Sequence, residues 1–150
     1  MKLVNLYILA GFLMLTAISC DKDKKVDPQE TDKGKVLVNS PWRLTSVTDV
    51  SGKAIPQNQL NLQTQAIYLF DIQFFDNNVT KALDRTSKQV INGGTWYLIE
   101  DDKVLDIEVS QFKGKFVIKE LSRSKMSLGN TVPVNGVNQE AYLVFEPVVQ

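Results

Sequence analysis

Gly93-Gly94-Thr95-Trp96-Tyr97-Leu98-Ile99-Glu100-Asp101-Asp102-Lys103-Val104-Leu105-Asp106-Ile107-Glu108-Val109 decides the fold. Two alternating apolar runs flank an acidic centre, the pattern of a β-hairpin. A turn at Asp101-Asp102 sets Trp96 opposite Ile107 and Leu98 opposite Leu105 on one face, which must be buried. The other face is mixed, with Tyr97 opposite Asp106 and Ile99 opposite Val104, so it looks largely to water. Everything beyond residue 40 reads as further strands added to this ribbon.

Toward the C-terminus, Lys113-Gly114 is the expected next turn, with Lys115 to Ser122 as the returning strand. That register places Val109 against Ile118 but Ile107 against Glu120, so either a bulge turns Leu121 inward or a carboxylate faces the core. Asn135-Gly136 is the strongest two-residue hairpin signal, since both residues tolerate the positive φ of a type I′ turn. It sets Leu128 against Leu143 and Met126 against Phe145.

Toward the N-terminus, Ile67 to Phe75 reads as a strand with Tyr68, Phe70, Ile72 and Phe74 on one face and Asp71 and Gln73 on the other. Asp76-Asn77-Asn78 turns the chain into Val79 to Leu83. Asp84 to Asn92 is polar and reads as a connection. Asp49 to Gln65 reads as a long loop with a short helical turn around Asn58 to Leu62, a candidate lid over one end of the domain. Trp42 to Thr48 is the first strand, with Trp42 and Leu44 inward.

The expected strands are 42–48, 67–75, 79–84, 95–100, 103–110, 115–122, 125–131 and 140–146. Tight turns make them an antiparallel meander, and eight strands with one apolar face close most economically into an all-β, up-and-down barrel; a two-sheet sandwich is the alternative.

Composition narrows the chemistry. The 150 residues contain no histidine and one cysteine, Cys20, which excludes a histidine-served nucleophile, a Cys/His zinc site and an intramolecular disulfide. Seventeen basic residues balance seventeen acidic ones, so no net field draws in nucleic acid. The dense acids Glu100, Asp101, Asp102, Asp106 and Glu108 fall in a turn and on a solvent face, where acids ordinarily sit. They are expected to form neither a glycosidase pair nor a calcium loop. No enzyme activity, metal or cofactor is expected.

Met1-Lys2 followed by the apolar run Leu3 to Ile18 reads as a signal peptide over 1–19, the run being shorter than the roughly 20 residues a bilayer span needs. Ala17-Ile18-Ser19-Cys20 resembles the lipobox of bacterial lipoproteins. That resemblance implies an acylated Cys20, held in the outer membrane by its acyl chains on the periplasmic or the cell-surface face. Residues 20–39 read as the lipidated cysteine and a flexible, Lys/Asp-rich linker, and 40–150 as the barrel. Asp21-Lys22-Asp23-Lys24-Lys25 also resembles, less closely, the export tags of surface lipoproteins.

Trp42-Arg43-Leu44-Thr45-Ser46, the strand ending at Asn78, Gly94-Thr95-Trp96-Tyr97-Leu98 and the closing Leu143-Val144-Phe145 together resemble the lipocalin-like domain of lipoproteins from Bacteroidetes-type bacteria. The resemblance implies the barrel fold; the first functional expectation is a monomeric, open-ended barrel that binds a small apolar or amphipathic molecule. Trp42, Tyr68, Phe70, Phe74, Trp96 and Phe116 would line its cavity, with Glu120 as a polar contact. The alternative is that the same aromatics fill the barrel, leaving a surface or periplasmic interaction domain without a small-molecule ligand.

Overall fold

The computed structural model describes residues 32–109 and 112–149. The strands β1 (Trp42–Asp49), β2 (Phe70–Phe74), β3 (Val79–Asp84), β4 (Val90–Ile99), β5 (Val104–Val109), β6 (Phe112–Leu121), β7 (Met126–Val134) and β8 (Val137–Pro147) pair in sequence order around a closed antiparallel barrel. β8 returns to β1 along the ladder from Trp42↔Pro147 to Asp49↔Ala141, which makes the lipocalin-like barrel and leaves no sandwich.

The central hairpin has the expected register, from Thr95↔Glu108 through Trp96↔Ile107 to Ile99↔Val104. Its reversal is made by Glu100, Asp101 and Asp102, all left-handed at φ 54–61°. Gly94 is required by proximity: a Cβ there would lie 1.7 Å from the Glu108 carbonyl oxygen. The β7–β8 hairpin also has its expected register, and Asn135 and Gly136 turn it at φ 51° and 79°.

Four expectations fail. The β5–β6 reversal lies between Val109 and Phe112, which face each other, so Leu105 opposes Phe116 and Lys113-Gly114 is inside the strand. The inward series Phe112, Phe116, Ile118 overrides the local turn signal of a glycine, because burying two phenylalanines outweighs a weak turn preference. A bulge exists, but between Ile118 and Glu120 against β7, and it leaves Glu120 outside. Residues 67–69 are not strand. Asn61 caps the helix α2 (Leu62–Ile67) by accepting from the Thr64 amide at 2.9 Å, and Tyr68 becomes its C-cap. Third, β4 begins at Val90, inside the stretch expected to be a connection.

Finally, the folded chain begins before Ser40. Asp32–Val38 is a helix, α1, whose Leu37 is fully buried against the barrel. Seven residues cannot hold a helix alone in water. Packing supplies what propensity does not: the buried Trp42 indole donates to the Leu37 carbonyl at 2.9 Å, and Lys33 Nζ to the Asp102 carbonyl at 2.8 Å. The linker reading therefore fails for residues 32–38. The expected signal peptide, the expected acylation at Cys20 and the expected linker up to residue 31 fall outside the described residues.

These contacts give the barrel two different ends. α1 sits at the end where β1 and β5 start. At the opposite end, the β1–β2 connection crosses over with a 3-10 turn (Gln57–Gln59) and α2, pinned to the β7–β8 tip by the Leu60↔Val134 bridge and the Asn135 amide on the Gln59 carbonyl. The β1–β2 connection thus covers this end as expected, with a 3-10 turn close to the expected helical turn and α2 as a further helix beyond it.

Candidate functional site

Five of the seven expected ligand contacts point into the barrel interior. Trp42, Phe70, Phe74, Trp96 and Phe116 are all buried in one continuous core. Phe74 meets Trp96 edge to face at 5.3 Å between ring centroids, and Phe112, not among the expected contacts, packs at a tilt against Phe116 at 4.7 Å and Phe145 at 5.8 Å. Each indole N–H is satisfied by a backbone carbonyl, Trp42 by Leu37 and Trp96 by Phe75 at 3.0 Å. Among the described residues no buried side-chain polar atom lacks a partner. The aromatics therefore contact one another and the backbone, with no unpaired polar group waiting for a ligand.

The other two expected contacts lie elsewhere. Glu120 is on the outside, bonded to Lys125 at 2.7 Å. Tyr68 is half-buried beside the lid, its hydroxyl meeting the Val47 backbone and the Gln57 side chain, and burial raises its pKa.

The α2 end holds a small cleft of about 120 Å³ between the lid residues Thr64 and Ile67 and the rim residues Phe112, Phe116, Val132 and Leu143. Pockets for drug-sized ligands are about 300–1,000 Å³, so this one takes a small group only.

A second constellation sits on the barrel wall between β1 and β2. These strands share only the pairs Trp42↔Ile72 and Arg43↔Asp71, after which they diverge toward α2. Asp71 is 1% exposed, although it belongs to the outward series of β2. Arg43 donates to both its oxygens at 2.8 and 2.9 Å, Lys88 Nζ adds a bond at 3.0 Å, and Arg85 Nε stands 3.6 Å away. Burial by itself would raise the Asp71 pKa. The hydrogen bonds from Arg43 and Lys88 outweigh it, and the carboxyl titrates below its ordinary 3.8. Arg43 is raised by the same bond. Arg85 is lowered, because burial and repulsion from Arg43 outweigh the attraction of Asp71.

Arg85 also spans the gap, its Nη2 donating to the Leu44 carbonyl of β1 at 2.9 Å and its Nε to the Phe70 carbonyl of β2 at 3.4 Å. One guanidinium thus stands where backbone rungs are missing. An acid in the most apolar strand was the available sequence signal. Its cations come from two separate places in the chain, Arg43 on β1 and Arg85 with Lys88 just after β3, and nothing beside Asp71 announces them.

The remaining acids are as expected: Glu100 and Asp101 are exposed in the hairpin turn, and Asp106 and Glu108 face outward from β5, Glu108 paired with Lys113 at 2.8 Å. Among the described residues no group of three His, Cys, Asp or Glu side chains could hold a metal ion. Comparison with known families and with curated proteins finds no match to this chain.

Proposed function

We propose that this chain is a bacterial lipoprotein with a lipocalin-like domain, held to the outer membrane by an acylated Cys20, whose barrel serves as an interaction module working through its outer surface. The observation that carries this reading is the occupied interior. Trp42, Phe74, Trp96, Phe112 and Phe145 are each no more than 1% exposed, and α1 and α2 cover the two ends. An eight-stranded barrel is only just wide enough for side chains or for one small ligand, and here the side chains have the space. Support for the anchor comes from the sequence: an apolar leader ending at Ser19-Cys20.

Native mass spectrometry of the protein purified from its own host tests the module, and the expected mass is that of the polypeptide and its acyl chains alone. A retained small molecule overturns the filled-barrel reading. For the anchor, Cys20→Ser should abolish the acyl mass increment and move the protein out of the detergent phase. Proteolysis of intact cells then separates the two membrane faces. A second reading is favoured by the cleft beneath α2, which would admit a small apolar group such as the end of an acyl chain against Phe112 and Phe116. In that case the retained molecule would be lost on Phe116→Trp, which fills the cleft.

A further inference from the structure

We infer that Asn92-Gly93 is a self-modification site, at which the chain converts Asn92 to an aspartyl or isoaspartyl residue with no enzyme. The reaction needs nothing from the barrel's interior or its anchor.

The chain has two Asn-Gly pairs, Asn92-Gly93 and Asn135-Gly136. In such a pair the glycine nitrogen can close a five-membered ring on the asparagine carboxamide, because no side chain obstructs its approach. What separates the two pairs is where the fold puts the carboxamide. At residue 92 it is folded back on its neighbour, the Gly93 amide donating to Asn92 Oδ1 at 2.7 Å. The attacking nitrogen and the carbon it must reach are thereby held together, as proximity catalysis requires.

The ladder explains this contact. Trp96 donates its amide to the Asn78 carbonyl, and antiparallel bonds alternate along a strand, so the Gly93 amide points away from β3. On the β5 side the pairs end at Thr95↔Glu108 among the described residues, and Gly93 finds its acceptor in its own chain neighbour. Gly93 is exposed and has no left-handed φ. A Cβ on it would only touch the Thr80 carbonyl oxygen at 3.6 Å, so the fold accepts alanine there.

The chain supplies two comparisons. The Thr131 amide donates to Asn130 Oδ1 at the same 2.7 Å, but the β-branched threonine crowds its nitrogen. At Asn135-Gly136 the glycine is present and the contact is missing: the Asn135 amide is held by the Gln59 carbonyl at 2.7 Å, and its carboxamide makes no bond to the Gly136 amide.

Water is the one co-reactant. The Gly93 nitrogen gives its proton to solvent and attacks Asn92 Cγ; the N–Cγ bond forms as Cγ–Nδ2 breaks, and ammonia leaves with a proton from water. A water molecule then opens the ring at either carbonyl, leaving an aspartate or a backbone routed through the side chain, with a net gain of about 1 Da. Asn92 is half-buried and pairs with the buried Ala82, so a carboxylate or an added backbone carbon there weakens the α2 end of the β3–β4 ladder.

The test warms the full protein in detergent at mildly alkaline pH in heavy-oxygen water, with peptide mass mapping and enzymatic methylation of isoaspartyl groups as readouts. In the folded chain Asn92 should convert at least about fivefold faster than Asn135 or Asn130, whereas in urea Asn92 and Asn135, both followed by glycine, should agree within about twofold. Gly93→Ala should slow Asn92 at least about fivefold, with a thermal melt to show that the variant folds. The comparison of sites needs no substitution and decides the matter even if that variant does not fold. A smaller ratio between Asn92 and Asn135 in the folded chain, the same ratio in urea, or a smaller slowing in folded Gly93→Ala overturns the site.

Discussion

Between β4 and β5, five residue pairs run in unbroken register, and inward Trp96 and Leu98 meet inward Ile107 and Leu105. Between β1 and β2 there are two pairs, then a gap spanned by the long side chains of Arg85 and Tyr68 and sealed by Asp71 with its three cations. One joint is a backbone ladder over an apolar face. The other is electrostatic, built from residues far apart in sequence. A barrel needs every joint, so the weaker one sets where it opens first and how stability responds to pH.

The hairpin side should give the largest effects. Trp96→Ala removes a fully buried indole packed on Phe74 and should cost about 4 kcal/mol in chemical denaturation; a loss below about 1 kcal/mol would mean that the core tolerates an empty centre. Gly94→Val drives a side chain into the Glu108 carbonyl and should cost about 3 kcal/mol, the strands having to part where they are closest. An unchanged midpoint would show that β4 and β5 can separate there without penalty.

On the seam, Asp71→Asn should cost about 2 kcal/mol at neutral pH, reduced from the value for a fully buried pair because Arg43 and Lys88 reach water. The pH dependence has a definite sign. The folded pKa of Asp71 lies below its ordinary 3.8, so its contribution is complete above that value and is lost as pH falls through it toward the lower folded value. Stability measured from pH 7 to 2 should fall less steeply at the acid end in the Asn variant than in the parent; parallel curves would remove Asp71 from the seam. The smallest effect is for Arg85→Met, which loses the bonds to Leu44 and Phe70 and should cost about 1 kcal/mol. Hydrogen exchange should quicken at β1 and β2 amides while β4–β5 stays protected, and a uniform increase would deny the seam its independence.

The two joints also differ in how well they could be read. The β4–β5 and β7–β8 registers were legible because each is local: a short turn and period-two alternation fix which residues face each other. The β5–β6 hairpin is not legible locally, because Lys113-Gly114 looks like a turn while the two phenylalanines that set the register, Phe112 and Phe116, straddle it. α1 is not legible because its seven residues open with a charged, glycine-containing Asp-Lys-Gly-Lys run and are helical only by docking Leu37 under Trp42. Alternation continues through Tyr68 and places it on a strand face, yet the Asn61 cap draws the preceding residues into helix. Of the expected ligand contacts, the alternation that turned Trp42, Phe70, Phe74 and Trp96 inward was sound, whereas it could not say whether inward side chains leave a space.

By itself the sequence determined an all-β chain of alternating strands, joined by turns whose residues accept left-handed backbone, with two tryptophans directed inward. These follow from sterics and from the two-residue period of a strand, which act between near neighbours. Tertiary structure alone decided that the interior is occupied, that α1 and α2 close the ends, and that Arg43, Arg85 and Lys88 converge on Asp71. Volume, ion pairing and surface shape depend on which distant segments meet, and only barrel closure brings them together.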